Sequence, residues 1–319
     1  MNIEFLLKRI IMAVSVFTIL ISTSACGRLE KRDPDKLFIV TTLFPQYDFA
    51  KHIVGDKGEV KLLLSPGLEA HSYDPAPADI VDINESDLFI YTGDEMETWA
   101  ADIIKSLERK TDILDVSEGI DLVKEEEHSH EEHNNKEHEH IYDPHIWTSP
   151  VNAMVMVENI LDELIRIDGE NEDYYRENAD KYLKELEELD KDIREVVDNS
   201  QIKTIFFADK FAMYYFVNEY GLEYISAYDS CSAETEPSAR LVASIIDEVR
   251  ECNATAIFYA ELSNHKSADT ISEETGSKAL LLHSCHNVSK KEFRNKETYL
   301  SLMRKNLENL KTGLNYQAE

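Results

Sequence analysis

Positive charge is scarce along this chain. Its 319 residues carry 33 Lys and Arg against 63 Asp and Glu, a formal net charge of −30, and the acids are spread along the sequence rather than gathered in a tail. Such a balance argues against nucleic acid and against direct adhesion to anionic lipid, and it suits attraction of cations. Solubility alone is the plainer account of the same acidity. The apolar stretch from Ile10 to Ile21 is too short for a comfortable membrane span. Cysteines number four, and beyond Cys26 the count is odd: Cys231, Cys252 and Cys285. An exported chain could close at most one intramolecular bridge among these three, leaving a thiol for burial or for a ligand role. No phosphate-binding loop is present. There is also no His-Glu-x-x-His helix in which a bound metal could activate water beside a general base.

What is present begins with a targeting segment. Lys8 and Arg9 precede the apolar stretch and Ser22-Thr23-Ser24-Ala25 follow it, so residues 1–25 have the layout of a secretory signal. Cys26, directly after Ala25, resembles the cysteine of a bacterial lipobox, with Thr23 where leucine is usual. Lipidation of Cys26 would anchor the chain and make residues 26–36 a polar tether; plain secretion would leave that thiol unmodified.

From residue 37 the periodicity alternates. Leu37 to Thr41 is a continuous apolar run of the kind buried in a parallel sheet. Strands are also expected at Glu59 to Leu64, Leu88 to Tyr91 and Thr111 to Val116, with helices at Tyr47 to Val54, Ala76 to Glu85 and Met96 to Leu107 between them. This alternation implies a helix-covered parallel sheet with any ligand site at the strands' carboxyl ends. After a helix over Asn152 to Ile167, the stretch Asp173 to Asp198 runs without Gly or Pro. Its apolar positions (Tyr175, Ala179, Tyr182, Leu186, Leu189, Ile193, Val196) follow one face, so it is expected to be a connecting helix of roughly 39 Å. A second α/β block follows, with strands at Thr204 to Phe207, Leu222 to Ala227, Ala256 to Tyr259 and Ala279 to Leu282. Its helices are expected at Phe211 to Tyr220, Ser238 to Arg250, Lys266 to Thr275 and Thr298 to Lys311. The expected organisation is a lobe at 37–170, a linking helix at 171–200 and a second lobe at 201–319.

Residues 125–140 interrupt the first lobe with acids and five histidines, His128, His130, His133, His138 and His140. The tract has nothing apolar to bury, and a solvated loop is expected there. It feeds Asp143-Pro144-His145-Ile146-Trp147, which is apolar and stiffened by proline. His71 lies in a similar corner ringed by Pro66, Pro75 and Pro77. Proline cuts the freedom of a loop and so fixes where an imidazole points. His71 and His145, each following a strand of the same expected sheet, form a candidate metal pair, with the mobile tract as an accessory collector.

The segments Thr41-Thr42-Leu43-Phe44-Pro45-Gln46-Tyr47, Gly67 to His71 with Asp74-Pro75, Asp143 to Trp147 and Tyr220-Gly221-Leu222 resemble the substrate-binding lipoproteins of zinc and manganese ABC importers. The resemblance spans essentially the whole chain beyond the targeting segment. It implies two α/β lobes, each a mostly parallel sheet covered by helices, joined by one long rigid helix with a metal cleft between them. It implies His71 and His145 as the first two ligands, and an acidic histidine-rich loop is typical of the zinc members. The third family ligand, His or Glu, is absent from Ala208 to Phe216, where Asp209 is the nearest donor. The fourth, a carboxylate after the last strand, is replaced by His283-Ser284-Cys285-His286, which offers Cys285 and His286, with His283 and Cys231 as further candidates. Cys231 and Cys285 could instead form a disulfide, and Cys252 is expected to be buried. Glu261 and His265 are weaker candidates. Nitrogen and sulfur donors favour Zn²⁺ in a tetrahedral set, with Mn²⁺ as the alternative cargo.

The function implied is capture of a divalent metal outside the cell and delivery to an ABC permease and its ATPase, by a monomer lipid-anchored on the outer face of the membrane. A metal-containing surface adhesin and a zinc hydrolase are the competing classes.

Overall fold

The computed structural model describes residues 33–70, 73–108, 111–124, 142–229 and 237–318, and from Leu37 onward the chain is a single unit. Strand β1 (Leu37–Thr41) has Phe38 to Thr41 buried, as an apolar run sandwiched between helices requires. Helix α1 (Phe44–Val54), strand β2 (Gly58–Leu62), helix α2 (Pro77–Glu85), strand β3 (Leu88–Tyr91), helix α3 (Ala100–Ser106) and strand β4 (Asp112–Asp115) complete the first sheet. All its pairings are parallel and its order is β2-β1-β3-β4.

Helix α4 (Pro150–Ile167) starts at Ser149, whose hydroxyl accepts from the amide of Asn152, and helix α5 (Glu172–Asp198) follows after one tight turn. At 27 residues α5 is about 40 Å long. The seven apolar residues that share one face in the sequence are all buried along it. That face packs on α4, on α1 and on the last helix, so the rod is pinned to the core over much of its length.

The second sheet repeats the order of the first, as β6-β5-β7-β8. Its elements are β5 (Thr204–Phe211), α6 (Tyr214–Tyr220), β6 (Glu223–Asp229), α7 (Ala239–Glu251), β7 (Ala256–Tyr259), α8 (Lys266–Thr275) and β8 (Lys278–Leu281). Helices α9 (Lys290–Arg294) and α10 (Tyr299–Gly313) close the chain.

Two departures from the sequence expectations bear on the site. Strand β5 continues to Phe211 instead of ending at Phe207, because the Phe211 ring stacks on Tyr224 at 3.9 Å. A register shift between Phe207 and Lys210 leaves an extra residue on β5, and such a bulge re-aims the side chains around it. Cys252, expected to be buried, is exposed at the C-terminal cap of α7, beyond that helix's apolar face.

In both sheets the first and third strands of the lobe lie side by side while the second lies outside them. That is the switch in strand order at which ligands of open α/β sheets bind, beyond the carboxyl ends. In the first lobe the switch point is filled by protein. The amides of Thr42 and Leu43 each donate to Gln46 Oε1 at 3.0 Å, and buried Glu97 accepts from the Thr92 amide at 3.0 Å and contacts the Thr42 hydroxyl. In the second lobe the same place is occupied by Asp209, Lys210 and Glu261 around an open cavity.

Candidate metal-binding cleft

The cavity has a volume of about 350 Å³. His145 and Glu69 from the first lobe, and Asp209, Lys210, Glu261 and His286 from the second, are among the residues that line it.

His145 is placed by the corner that the sequence marks. Its backbone amide and its ring Nδ1 both meet Asp143 Oδ1, at 2.8 and 3.0 Å, and the imidazole is 1% exposed. Lys124 and Tyr142 pair in an antiparallel bridge that closes the base of this corner, and the Tyr215 hydroxyl donates to the Asp143 carbonyl at 2.8 Å. A carboxylate oxygen only accepts, so the Nδ1 proton points at Asp143 and the lone pair is left on Nε2.

His286 is held in an equivalent way. The Ser284 hydroxyl donates to Glu261 Oε1, which uses its single proton, and His286 Nδ1 lies 2.9 Å from that hydroxyl oxygen and 3.3 Å from Glu261 Oε1. Nδ1 is therefore the donor here too, and Nε2 again carries the lone pair. The two rings are 6.4 Å apart between centroids, inclined at 65°. Two imidazoles whose Nδ1 protons are directed by outer carboxylates form the pattern by which proteins orient histidine ligands toward a metal.

Glu261 follows β7 at the switch point, and the Ser284 amide donates to its second oxygen at 2.8 Å. Burial pushes its carboxyl up, but the charges of His283 and His286 and the hydrogen bonds from His286 and Ser284 outweigh burial and hold it well below the usual carboxylate range. Burial lowers His286, and the hydrogen bond and charge of Glu261 reverse that and raise it. Asp209 sits in the β5 bulge with its Oδ2 accepting from the Ala260 amide at 3.1 Å, and burial raises its carboxyl.

The remaining residues nominated from the sequence are placed differently. Cys285 is a free thiol, wholly buried in the core, and it does not line the cavity. Its φ of +65° turns the chain so that His286, the next residue, lines the cleft instead. Burial pushes that thiol far above the ordinary cysteine range. His283 is 1% exposed and outside the lining; its Nδ1 accepts the Cys285 amide at 2.9 Å, and its backbone is clamped by the buried side chain of Asn306. His265 caps α8 at the surface, 3.0 Å from Asp269. His71, Cys231, Cys26 and the five histidines of residues 125–140 lie outside the described residues. Among the described residues no three His, Cys, Asp or Glu side chains form a group that could hold a metal; His145 and His286 supply two donors.

Lys210 and Glu69 are charged cavity residues that sequence reasoning missed. A lysine does not enter a search for metal donors, and the bulge that carries it leaves no compositional trace.

The comparisons agree with this architecture. Residues 39–313 match the family ZnuA, described as zinc-uptake complex component A, periplasmic. The high-affinity zinc uptake system protein ZnuA of Bacillus subtilis (strain 168) is 38% identical over 299 residues, covering 91% of this chain and 93% of that protein. Among solved structures, the metal-dependent lipoprotein YcdH from Bacillus subtilis superposes with a TM-score of 0.76 at 35% identity, covering 88% of this chain and 99% of its own. The Zn(II)-bound ZnuA-like domain of Streptococcus pneumoniae AdcA gives 0.75 at 30% identity, with coverages of 88% and 99%. With two lobes of the same strand order, a rigid connecting helix and a family match running through both, the chain belongs to the zinc-uptake complex component A family.

Proposed function

We propose that this protein captures zinc outside the cell and hands it to the permease of an ABC importer, and that it is a receptor rather than an enzyme. The observation that carries the reading is the pair His145 and His286, each braced by a buried carboxylate and both facing one cavity. Nitrogen donors of this kind favour zinc over manganese, which prefers oxygen. His71 is assigned as a third ligand; Glu69, in the loop that leads to it, lines the cavity and lies 3.8 Å from His286 Nε2. Asp209 contributes negative charge beside the ion, its carboxylate being anchored to β7. The histidine tract of 125–140 is assigned as a weak collector that raises metal concentration near the cleft, an idea that the overall charge of −30 supports. Cys26 is assigned as the lipid-bearing residue that keeps the receptor on the outer face of the membrane as a monomer, and the ATPase subunit of the importer supplies the energy for uptake.

Protein purified without chelator should contain about one equivalent of tightly held zinc by elemental analysis. Loss of an outer carboxylate costs about 10–100-fold in metal affinity, so His145→Ala and His286→Ala should each lose more than about 100-fold in a chelator-competition titration. Deleting residues 125–140 should remove weak sites and keep the tight one. Tight zinc binding that survives His145→Ala and His286→Ala together would refute the assignment.

A further inference from the structure

Two loops from different lobes meet at the cleft, and one side chain joins them. The first is the turn Ser65-Pro66-Gly67-Leu68, closed by the Leu68 amide on the Ser65 carbonyl at 3.2 Å, with Gly67 at φ +87°. Proline at the second position and a left-handed glycine at the third suit a type II turn. Glu69, the next residue, lines the cavity. The second loop is His283 to Asn287; its His286 also lines the cavity, with Nε2 3.8 Å from Glu69 Oε1. Asn287 itself is wholly buried and outside the lining. Its Nδ2 donates to the Ser65 carbonyl at 3.0 Å and to the Leu68 carbonyl at 2.8 Å, while Oδ1 accepts from the Val288 amide at 2.8 Å. Carbonyls only accept and backbone amides only donate, so these contacts fix which end of the side chain is nitrogen. Both of its amide protons are thus given to one turn, at the two carbonyls that bracket it. The Trp147 and Phe44 contacts hold the second loop to other parts of the first lobe, and neither reaches this turn. Packing adds little there, since Leu68 is 50% exposed.

Resting on the reading of this cleft as a metal site, we propose that Asn287 is a positioning residue of that site, whose amide fixes the separation of the loop bearing His286 from the turn that leads into Glu69. The clamp lies one residue after His286 and one residue before Glu69, so it sets the gap where both enter the cavity. It touches no metal; it holds the metal-free cleft at the width that one ion fills. With the clamp cut, the turn is free to swing into solvent, and zinc affinity falls in proportion to the fraction of molecules that keep the closed spacing.

The test measures zinc affinity by chelator competition, and the Tm of the metal-free protein, for the wild type, Asn287→Ala, Asn287→Asp and Gly313→Ala. Asn287→Ala should bind zinc about tenfold or more weakly, the range in which outer residues of metal sites act. Asn287→Asp keeps an acceptor for the Val288 amide and loses both donors. It should fall about as far, even though its added negative charge favours a cation, and it carries the test alone if the alanine variant does not fold. Gly313→Ala lowers stability from outside the cavity lining and should keep wild-type affinity, which separates lost positioning from lost stability. Wild-type affinity in folded Asn287→Ala overturns the proposal. So does wild-type affinity in Asn287→Asp, since the side chain would then serve only the Val288 amide, and so does an equal loss in Gly313→Ala. Absence of tight zinc binding in the wild type is a different result, which removes the metal reading itself.

Discussion

Replacing Glu97 with glutamine should make the protein more stable at alkaline pH and leave it unchanged in mild acid. The reason lies in the hydrogen atoms available at the switch point of the first lobe. Gln46 Oε1 accepts from two backbone amides, which fixes it as the carbonyl end, and it also lies 2.8 Å from the Thr42 hydroxyl. Thr42 has one hydroxyl proton, and Gln46 Oε1 can only accept, so the contact between Thr42 and Glu97 uses a proton carried by Glu97. Burial pushes the Glu97 carboxyl up to about 8, against the lowering effect of its polar contacts with Thr42, Thr92 and Gln46. The native state therefore holds a proton that the unfolded chain releases near pH 4.5. This contribution is complete below that pH, fades at about 1.4 kcal/mol per unit as pH rises, and is gone above about 8. The whole window is worth up to about 5 kcal/mol. Glutamine keeps a donor for Thr42 and an acceptor for the Thr92 amide at every pH. Urea unfolding of the metal-free protein from pH 4.5 to 9 should give matching stabilities at the acid end, with the variant ahead by about 2–5 kcal/mol at the alkaline end. A difference that does not vary with pH, or a variant weaker than the wild type above pH 8, would refute the reasoning.

Two further predictions test the packing around the cleft. Gly313 ends α10 against β7, where an added Cβ would overlap the buried ring of Phe258; Gly313→Ala should lower stability by about 1–3 kcal/mol, read as a drop in Tm. Trp147 Nε1 donates to the Ser284 carbonyl at 2.8 Å in a buried setting, so Trp147→Phe should cost about 1–3 kcal/mol by leaving that carbonyl without its donor. Urea unfolding reads that loss, and an unchanged stability would contradict the assigned contact.

The fold was largely legible because its signals are periodic and local. Leu37 to Thr41 is a strand within its expected limits, and the seven apolar residues of α5 are buried along one side. Helix α3 begins at Ala100 rather than at Met96, since Glu97 is drawn back to the Thr92 amide instead of facing outward from a first turn. Helix α9 was missed although Ser289 and Glu292 form a capping box, the local signature that could have found it. The site was legible where the chain itself fixes geometry, as Asp143-Pro144 does for His145. It was not legible where distant residues decide. Nothing in His283-Ser284-Cys285-His286 announces a positive φ at a cysteine, and that one dihedral assigns the thiol to the core and the last imidazole to the cleft. Glu261 drew little weight because its partners lie 23 and 25 residues further along the chain.

That loop also decides which parts of the cleft can move together. Although His283 to Asn287 follow the last strand of the second lobe, the first lobe holds them. Trp147 donates to the Ser284 carbonyl, the Phe44 amide to the His286 carbonyl at 3.4 Å, and Asn287 to the carbonyls of Ser65 and Leu68 at 3.0 and 2.8 Å. Helix α10 strengthens the attachment: the Tyr299 hydroxyl donates to the Trp147 carbonyl, and its amide donates to buried Asp48, which also accepts from Tyr182 of α5. His145 and His286 thus share an attachment to the first lobe, while Glu261 ties His286 also to the end of β7, beside the Ala260 amide that holds Asp209. On the proposed assignment of His145 and His286 as ligands, the loop from His283 to Asn287 is held from both lobes, so release of the ion would depend on the β5 bulge and the loops beside it.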